Sequence, residues 1–106
     1  MSGMSSVNAA RGEASIVVAG ETLVLRPTFQ ALVAAEEELG PLFALVERAA
    51  QGGLRVSETA ALFWHCIKGG SNHCTRERVG AAIVDAGLAK MTPVLKALLT
   101  QILQGK

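Results

Sequence analysis

The chain has 106 residues, a formal net charge of +1, 50% hydrophobic residues and 18% charged residues, which predicts a packed globular chain rather than a disordered one. Lys and Arg do not gather into the cluster that marks a nucleic-acid surface, and no apolar run reaches the ~20 residues of a membrane span. The N-terminus also lacks the apolar segment of a signal peptide, so we expect a cytoplasmic protein without nucleic-acid or membrane partners.

The N-terminal third predicts a leader and then a β-hairpin. Residues 1–12 are rich in Ser, Gly, Asn and Ala, which predicts a flexible leader before a single domain over 13–106. Two β-branched or aliphatic runs around Ala19-Gly20-Glu21 predict a hairpin over 13–26.

A type II′ turn with Gly20 and Glu21 at its centre sets the hairpin register. Val18 then faces Leu23, and Val17 faces Val24. Alternation of side chains gives one wholly apolar face that should lie on helices, composed of Ala14, Ile16, Val18, Leu23 and Leu25. The other face is mixed and, with the unpaired strand edges, is a candidate surface for self-association.

Five helices are predicted after the hairpin, over about 28–39, 41–51, 57–68, 75–87 and 92–104. Thr28, Ser57 and Thr75 are candidate N-caps, and Thr92-Pro93 marks the start of the last helix. The fold class is therefore α+β, with an N-terminal two-stranded antiparallel hairpin packed on a bundle of four to five short α-helices.

Each helix has an apolar stripe that predicts its buried face. In the first helix the stripe contains Phe29, Leu32, Val33, Glu36 and Leu39. In the third it contains Thr59, Leu62, Phe63, Cys66 and Ile67, with His65 on the outer side. The last helix has a wide stripe with room for two neighbours, made of Val94, Leu95, Leu98, Leu99, Ile102 and Leu103.

Two His-Cys pairs, His65-Cys66 and His73-Cys74, superficially resemble a metal site. Zinc sites bring ligands at wider spacings, and neighbouring helical residues point about a quarter-turn apart, so we predict no metal. A disulfide between Cys66 and Cys74 is disfavoured in a reducing cytoplasm. The run 36–38 of three glutamates is interpreted as a solvated face. No catalytic constellation and no cofactor fingerprint is present, and we predict that the protein is not an enzyme.

Four short motifs resemble a family of small proteins encoded in the tail modules of gene transfer agents and related tailed phages and prophages of α-proteobacteria. The motifs are Asn8-x-x-Arg11-Gly12-Glu13, Ala19-Gly20-Glu21, Leu25-Arg26-Pro27-Thr28-Phe29 and the residues Ala34, Glu37, Leu39 and Gly40. The family is described as tail tube proteins or as tail assembly chaperones, and the resemblance brings no catalytic residues with it.

The resemblance implies a non-enzymatic role in virion morphogenesis in the bacterial host cell. A tail assembly chaperone would bind the tape-measure protein or other tail proteins, through candidate contacts at Phe43, Trp64, Leu95, Leu99, Ile102 and Leu103. One alternative is a structural tail tube component, which would be virion-associated. Another is a small helical DNA-binding or regulatory domain that uses Arg76 and Arg78, although two arginines are few for a phosphate footprint.

Overall fold

The computed structural model describes residues 14–67 and 75–104 of the chain. Two strands and five helices follow one another in these residues: β1 (Ala14–Val18), β2 (Glu21–Leu25), α1 (Phe29–Leu39), α2 (Leu42–Ala50), α3 (Val56–Ile67), α4 (Arg76–Ala86) and α5 (Leu88–Gln104). The α+β class and the N-terminal antiparallel hairpin are confirmed. The predicted leader, 1–12, lies outside the described residues.

The hairpin has a different register from the predicted one. Val18 pairs with Glu21 instead of Leu23, and Val17 pairs with Thr22 instead of Val24. Ala19 and Gly20 both have positive φ, 52° and 83°, so they are the central residues of a type I′ turn, whose twist matches that of the strands. The predicted type II′ turn was wrong.

The error in register is two positions, and a shift of two leaves every side chain on its original face. The predicted apolar face is therefore confirmed: Ala14, Ile16, Val18, Leu23 and Leu25 are all buried. On the other face Val17 is 58% exposed, and it lies opposite Thr22 instead of Val24.

Helix α3 is the centre of the helical layer, where it packs on α1, α4 and β2. Its predicted stripe is confirmed, and Leu62 and Phe63 are fully buried. The core also contains Leu45 of α2, Val79 and Ile83 of α4, and Leu98 of α5. These helices cover the apolar face of the hairpin, which two strands alone could not keep from water.

Helix α1 buries a face that matches the predicted stripe only in part, since Leu39 packs against the core and Leu32 is half-buried. Its buried residues are Ala31 and Ala35, whereas Phe29 is 82% exposed and Val33 is 37% exposed. The side chain of Glu36 is exposed and accepts a hydrogen bond from the backbone N–H of Leu42 at 3.1 Å. The small alanine side chains let α1 lie close to its neighbours, since the interaxial distance depends on the side chains at the contact.

Two helix starts differ from the prediction. α3 begins at Val56, so Ser57 is already helical and is not the N-cap. Glu58 instead accepts a hydrogen bond from the backbone N–H of Arg55 at 3.0 Å, the reach-back contact of a capping box. α5 begins at Leu88 and contains Pro93 within it. The turn at Gly87, with φ of 96°, separates α4 from α5 and lets the new helix start at once.

The N-cap of α1 gives a first testable prediction. The Thr28 hydroxyl accepts a hydrogen bond from the backbone N–H of Ala31 at 3.1 Å. We expect Thr28→Ala to lower the free energy of unfolding by about 1 kcal/mol in a urea titration, because that N–H loses its partner. Thr28→Ser keeps the oxygen and should restore most of the loss. Equal losses for both variants would contradict a capping role.

Candidate functional site

The six residues predicted as partner contacts do not form one surface. Phe43 on α2 is 80% exposed and Leu103 on α5 is 54% exposed. Leu95, Leu99 and Ile102 are half-buried and pack against the core. α2 packs on α1, whereas α5 packs on α4 and β1, so the two exposed residues belong to different parts of the bundle.

Three large exposed apolar side chains lie on α1 and α2. Phe29 and Val33 are one helical turn apart on α1, and their exposed face continues into Glu36 and Glu37. The hydrogen bond from Leu42 to Glu36 brings the start of α2 to this face, and the next residue is the exposed Phe43, followed one turn later by exposed Glu47. We call Phe29, Val33 and Phe43, with Glu36, Glu37 and Glu47 around them, the aromatic face.

Sequence reasoning missed half of this surface because it assigned Phe29 and Val33 to the core. The signal that could have found it is the pair Ala31 and Ala35, which share one side of the helix at the spacing of a buried stripe. Two aromatic side chains that are each at least 80% exposed are unusual, since aromatic residues normally bury most of their area. Exposed apolar groups with a polar rim are typical of protein-binding surfaces.

A polar cluster joins α1, α3 and α4. His65 is buried, and its Nε2 lies 2.8 Å from Oε1 of Glu38. Arg76 donates two hydrogen bonds to the same carboxylate, one of 2.7 Å from Nη2 to Oε1 and one from Nη1 to Oε2. The Arg76 guanidinium also lies 4.5 Å from the centre of the Trp64 ring, which in turn contacts His65 edge-on.

The electrostatics of this cluster follow from those contacts. The hydrogen bonds from Arg76 and His65 lower the pKa of Glu38 to about 2, and the carboxylate raises the pKa of Arg76 in return. Nδ1 of His65 is buried and has no hydrogen-bond partner among residues 14–67 and 75–104. Nε2 is the donor in the bond to Glu38, because an ionised carboxylate only accepts hydrogen bonds.

The cluster corrects the sequence interpretation of His65. His65 was expected on the outer side of its helix, but it is 6% exposed, since α1 and α4 both supply groups that cover it. Residues 36–38 are all exposed, as the interpretation of a solvated run predicted, and the carboxylate of Glu38 in addition bonds His65 of α3 and Arg76 of α4. Trp64 is half-buried, and the Arg76 guanidinium lies over its ring. Arg76 is paired with Glu38, so the DNA-binding alternative, which would use Arg76 and Arg78, has one fewer unpaired cation for phosphate contacts.

The cysteine and metal interpretations concern the end of α3. Burial raises the pKa of the Cys66 thiol to about 12, so the thiolate that a nucleophile or ligand requires is strongly disfavoured. Within residues 14–67 and 75–104, no group of three or more His, Cys, Asp and Glu residues could hold a metal ion. His73 and Cys74 lie outside the described residues, so the prediction that Cys66 and Cys74 form no disulfide stays a prediction.

A second ion pair joins α2 to α3. Arg48 donates two hydrogen bonds to Glu58, of 2.9 and 2.7 Å. These bonds and the backbone N–H of Arg55 lower the pKa of Glu58 to about 2. The pair fixes the helix that carries Phe43 against the central helix.

None of the helices in the described part of the chain has the length and apolar character needed to cross a bilayer.

Comparison with known proteins identifies a family. A family model described as phage tail tube protein, GTA-gp10, matches residues 11–105. Neither the curated proteins nor the solved structures include a match to this chain. The family match covers both strands, all five helices and the aromatic face.

Proposed function

The chain belongs to the phage tail tube protein family GTA-gp10, and from this membership we propose that it is a tail assembly chaperone that binds the tape-measure protein. A role in tail morphogenesis follows from the family itself. The chaperone assignment is supported by the aromatic face, which presents Phe29 and Phe43 at 82% and 80% exposure. A long, apolar protein awaiting assembly needs such a surface to cover it.

The mode of binding that fits this surface is a helix laid on apolar anchors. Phe29 and Val33 stand four residues apart, and Phe43 extends the face onto a second helix. An amphipathic helix of the tape-measure protein would place its own i, i+3 and i+4 residues on these anchors. The surrounding glutamates would favour Lys and Arg on the flanks of that helix.

A structural tube component is the second candidate, and the wording of the family description favours it. A tube subunit must close into rings that stack, which in phage tubes uses an extensive β-sheet. The described residues contain one two-stranded sheet with strands of 5 residues each. This small sheet supports the chaperone over the tube component.

Capture and particle analysis distinguish the two candidates. A tagged form of the chain would be expressed with the whole tail gene cluster, and both the captured proteins and the finished particles would be analysed by mass spectrometry. A chaperone captures the tape-measure protein from the host cytoplasm and is absent from finished particles. Stoichiometric amounts in purified particles would instead make it a tube component.

The aromatic face gives the second testable prediction. We expect Phe29→Ala combined with Phe43→Ala to reduce capture of the tape-measure protein by at least about tenfold, because buried aromatic anchors dominate binding energies. The matched control is Val84→Ala combined with Leu103→Ala, which removes two apolar groups that are 65% and 54% exposed on α4 and α5.

Both double variants should keep the melting temperature of the parent, since all four side chains are exposed. Loss of capture in the control variant alone would place the binding surface on α4 or on α5, the helix whose predicted stripe includes Leu95, Leu99, Ile102 and Leu103. Full capture by both variants would show that neither surface binds the tape-measure protein.

A further inference from the structure

The outer edge of β1 has unpaired backbone groups. In a hairpin closed by a two-residue turn, the pair next to the turn is hydrogen-bonded and the next pair is not, in alternation. Val18–Glu21 and Ile16–Leu23 are therefore the bonded pairs, and the N–H and C=O groups of Ser15 and Val17 point away from β2. In the described chain, no backbone hydrogen bond outside the hairpin involves Ser15 or Val17.

The outer edge of β2, unlike that of β1, is partly hydrogen-bonded. Arg26 continues β2 with the same outward orientation as Thr22 and Val24, and its N–H donates to the carbonyl of Cys66 at 3.0 Å. The C-terminal end of α3 thus closes part of this edge. The bond also supports the assigned alternation, because outward groups in this sheet do reach partners when a partner is near.

A groove of about 570 Å³ runs beside the open edge of β1. One wall is the strand and turn from Val17 to Gly20, and the other wall is α4. The part of α4 that lines the groove has the small side chains of Ala81 and Ala82 between Arg78 and Asp85, and Ala86 follows Asp85. No ion pair or hydrogen bond of the Arg78 or Asp85 side chain is present in the described chain.

We propose that this groove binds an extended segment of another protein, which adds a strand to β1 and places an acidic side chain at Arg78 and a basic side chain at Asp85. Strand addition supplies partners for the outward N–H and C=O groups of Ser15 and Val17. Small apolar side chains on the segment would fit over Ala81 and Ala82.

The charges set the spacing of the segment. Arg78 and Asp85 are separated by ~10 Å along the helix axis, and alternate side chains of a strand that face the same way lie ~7 Å or ~13 Å apart. The long side chains of Arg78 and of a lysine on the segment are flexible enough to span the difference between these distances. The fitting segment therefore carries its acidic and basic residues four positions apart, with a small apolar residue midway and polar residues facing outward.

A second copy of this chain is a poorer occupant. Pairing two β1 edges about a two-fold axis would give a four-stranded sheet with the α4 helix of each copy over the central strands. Helices pack 8–10 Å apart while strands lie about 4.8 Å apart, so the two helices would compete for the same space. The groove has room for one strand and not for a strand with its own helix.

The test uses two synthetic peptides and NMR. Peptide one is Thr-Glu-Thr-Val-Thr-Lys-Thr, and peptide two has the Glu and Lys exchanged, so that together they cover both strand directions. We expect one of them, added to the full chain at up to millimolar concentration, to shift the amide resonances of β1 and of Arg78 to Ala86, with at least tenfold weaker binding by the other. No shift in these resonances with either peptide overturns the proposal, as does a shift confined to the aromatic face.

Two proline variants test the edge itself. Val17→Pro removes the outward N–H of β1 and places a ring on that edge, and Thr22→Pro does the same at the opposite position on β2. Because the two residues face each other, the strain on the hairpin is matched, and the melting temperatures of both variants report it. We expect Val17→Pro to abolish peptide binding and Thr22→Pro to retain it. Equal loss in two folded variants overturns strand addition to β1.

A charge exchange keeps the test decisive if the proline variants unfold. Arg78→Glu combined with Asp85→Lys changes two exposed side chains of α4 and leaves the hairpin alone. This variant should prefer the peptide that the parent binds weakly, with the tenfold preference inverted. An unchanged preference overturns the proposed charge recognition. Peptide-independent formation of a dimer by the parent chain, lost in Val17→Pro, would assign the edge to a second copy and would likewise overturn the proposal.

Discussion

Phe63→Ala is expected to lower the free energy of unfolding by about 3–5 kcal/mol and the melting temperature by more than about 10 °C. Phe63 is fully buried in α3 and belongs to the hydrophobic core. Its removal loses the transfer free energy of the ring and leaves a cavity that surrounding helices fill only in part. Domains of this size are stable by only about 5–15 kcal/mol, so the variant should be close to its unfolding threshold.

The control for this prediction is Phe43→Ala, which makes the same chemical change at a position that is 80% exposed. Its free energy of unfolding should stay within about 0.5 kcal/mol of the parent. Urea titrations followed by far-UV circular dichroism measure both variants. A large loss of stability in Phe43→Ala would mean that Phe43 belongs to the core and would remove it from the aromatic face.

These two phenylalanines show how far hydrophobic pattern alone can assign a core. Alternation in the hairpin identified all five of its buried residues, because a strand has only two faces and an error of two positions changes neither. In α3 the stripe was also right, since nearly every residue from Thr59 to Ile67 is buried. A helix with neighbours on most sides buries nearly all of its residues, so an error in the predicted direction of its buried face changes few assignments.

The peripheral helix α1 could not be assigned in this way. Phe29 and Val33 face water, whereas its buried residues are Ala31 and Ala35, and Leu39 packs against the core beside them. A stripe of large residues and a stripe of small ones both have helical periodicity, and only the neighbouring surface decides between them. Large apolar side chains normally become buried on folding, and exceptions to this rule are expected where a surface binds a partner.

The start of α5 was mistaken for a related reason. Thr92-Pro93 has the signature of a helix N-terminus, yet the helix already includes Leu88. Thr92-Pro93 correctly indicated the N-terminal part of a helix, but it carried no information on whether the residues before it are also helical. There Gly87 adopts positive φ, and the N–H of Met91 bonds to its carbonyl at 3.2 Å. Tertiary packing of Met91, which is 9% exposed, favours that extra turn.

The three consecutive glutamates have separate roles that composition does not reveal. Glu36 accepts the hydrogen bond that starts α2, Glu37 is exposed, and Glu38 joins His65 and Arg76. Successive helical positions differ by about 100° in direction, so three identical residues meet three environments. The identity of the partner elements had to come from the structure.

Glu38→Ala is expected to lower the free energy of unfolding by about 1–3 kcal/mol at neutral pH, because it leaves Nε2 of the buried His65 without a hydrogen-bond partner. It also releases Arg76 from α1. Glu37→Ala, at the neighbouring exposed position, should change the free energy of unfolding by less than about 0.5 kcal/mol. Urea titrations of the two variants and the parent measure both values. Equal effects would show that the cluster contributes nothing specific to the fold.

The pH dependence of the same variants tests the cause. The pKa of Glu38 is lowered to about 2 in the folded chain from an ordinary value of 4.5, so the folded state binds fewer protons than the unfolded state between these values. The stabilisation by Glu38 is therefore complete above about pH 4.5 and is lost as the pH falls toward 2. Glu58 has a similarly lowered pKa and remains in the variant, so the parent and Glu38→Ala should both lose stability in acid, the parent more steeply. Their free energies of unfolding should converge near pH 2, whereas a gap that stays constant across this range would assign the loss to packing instead of to the charge on Glu38.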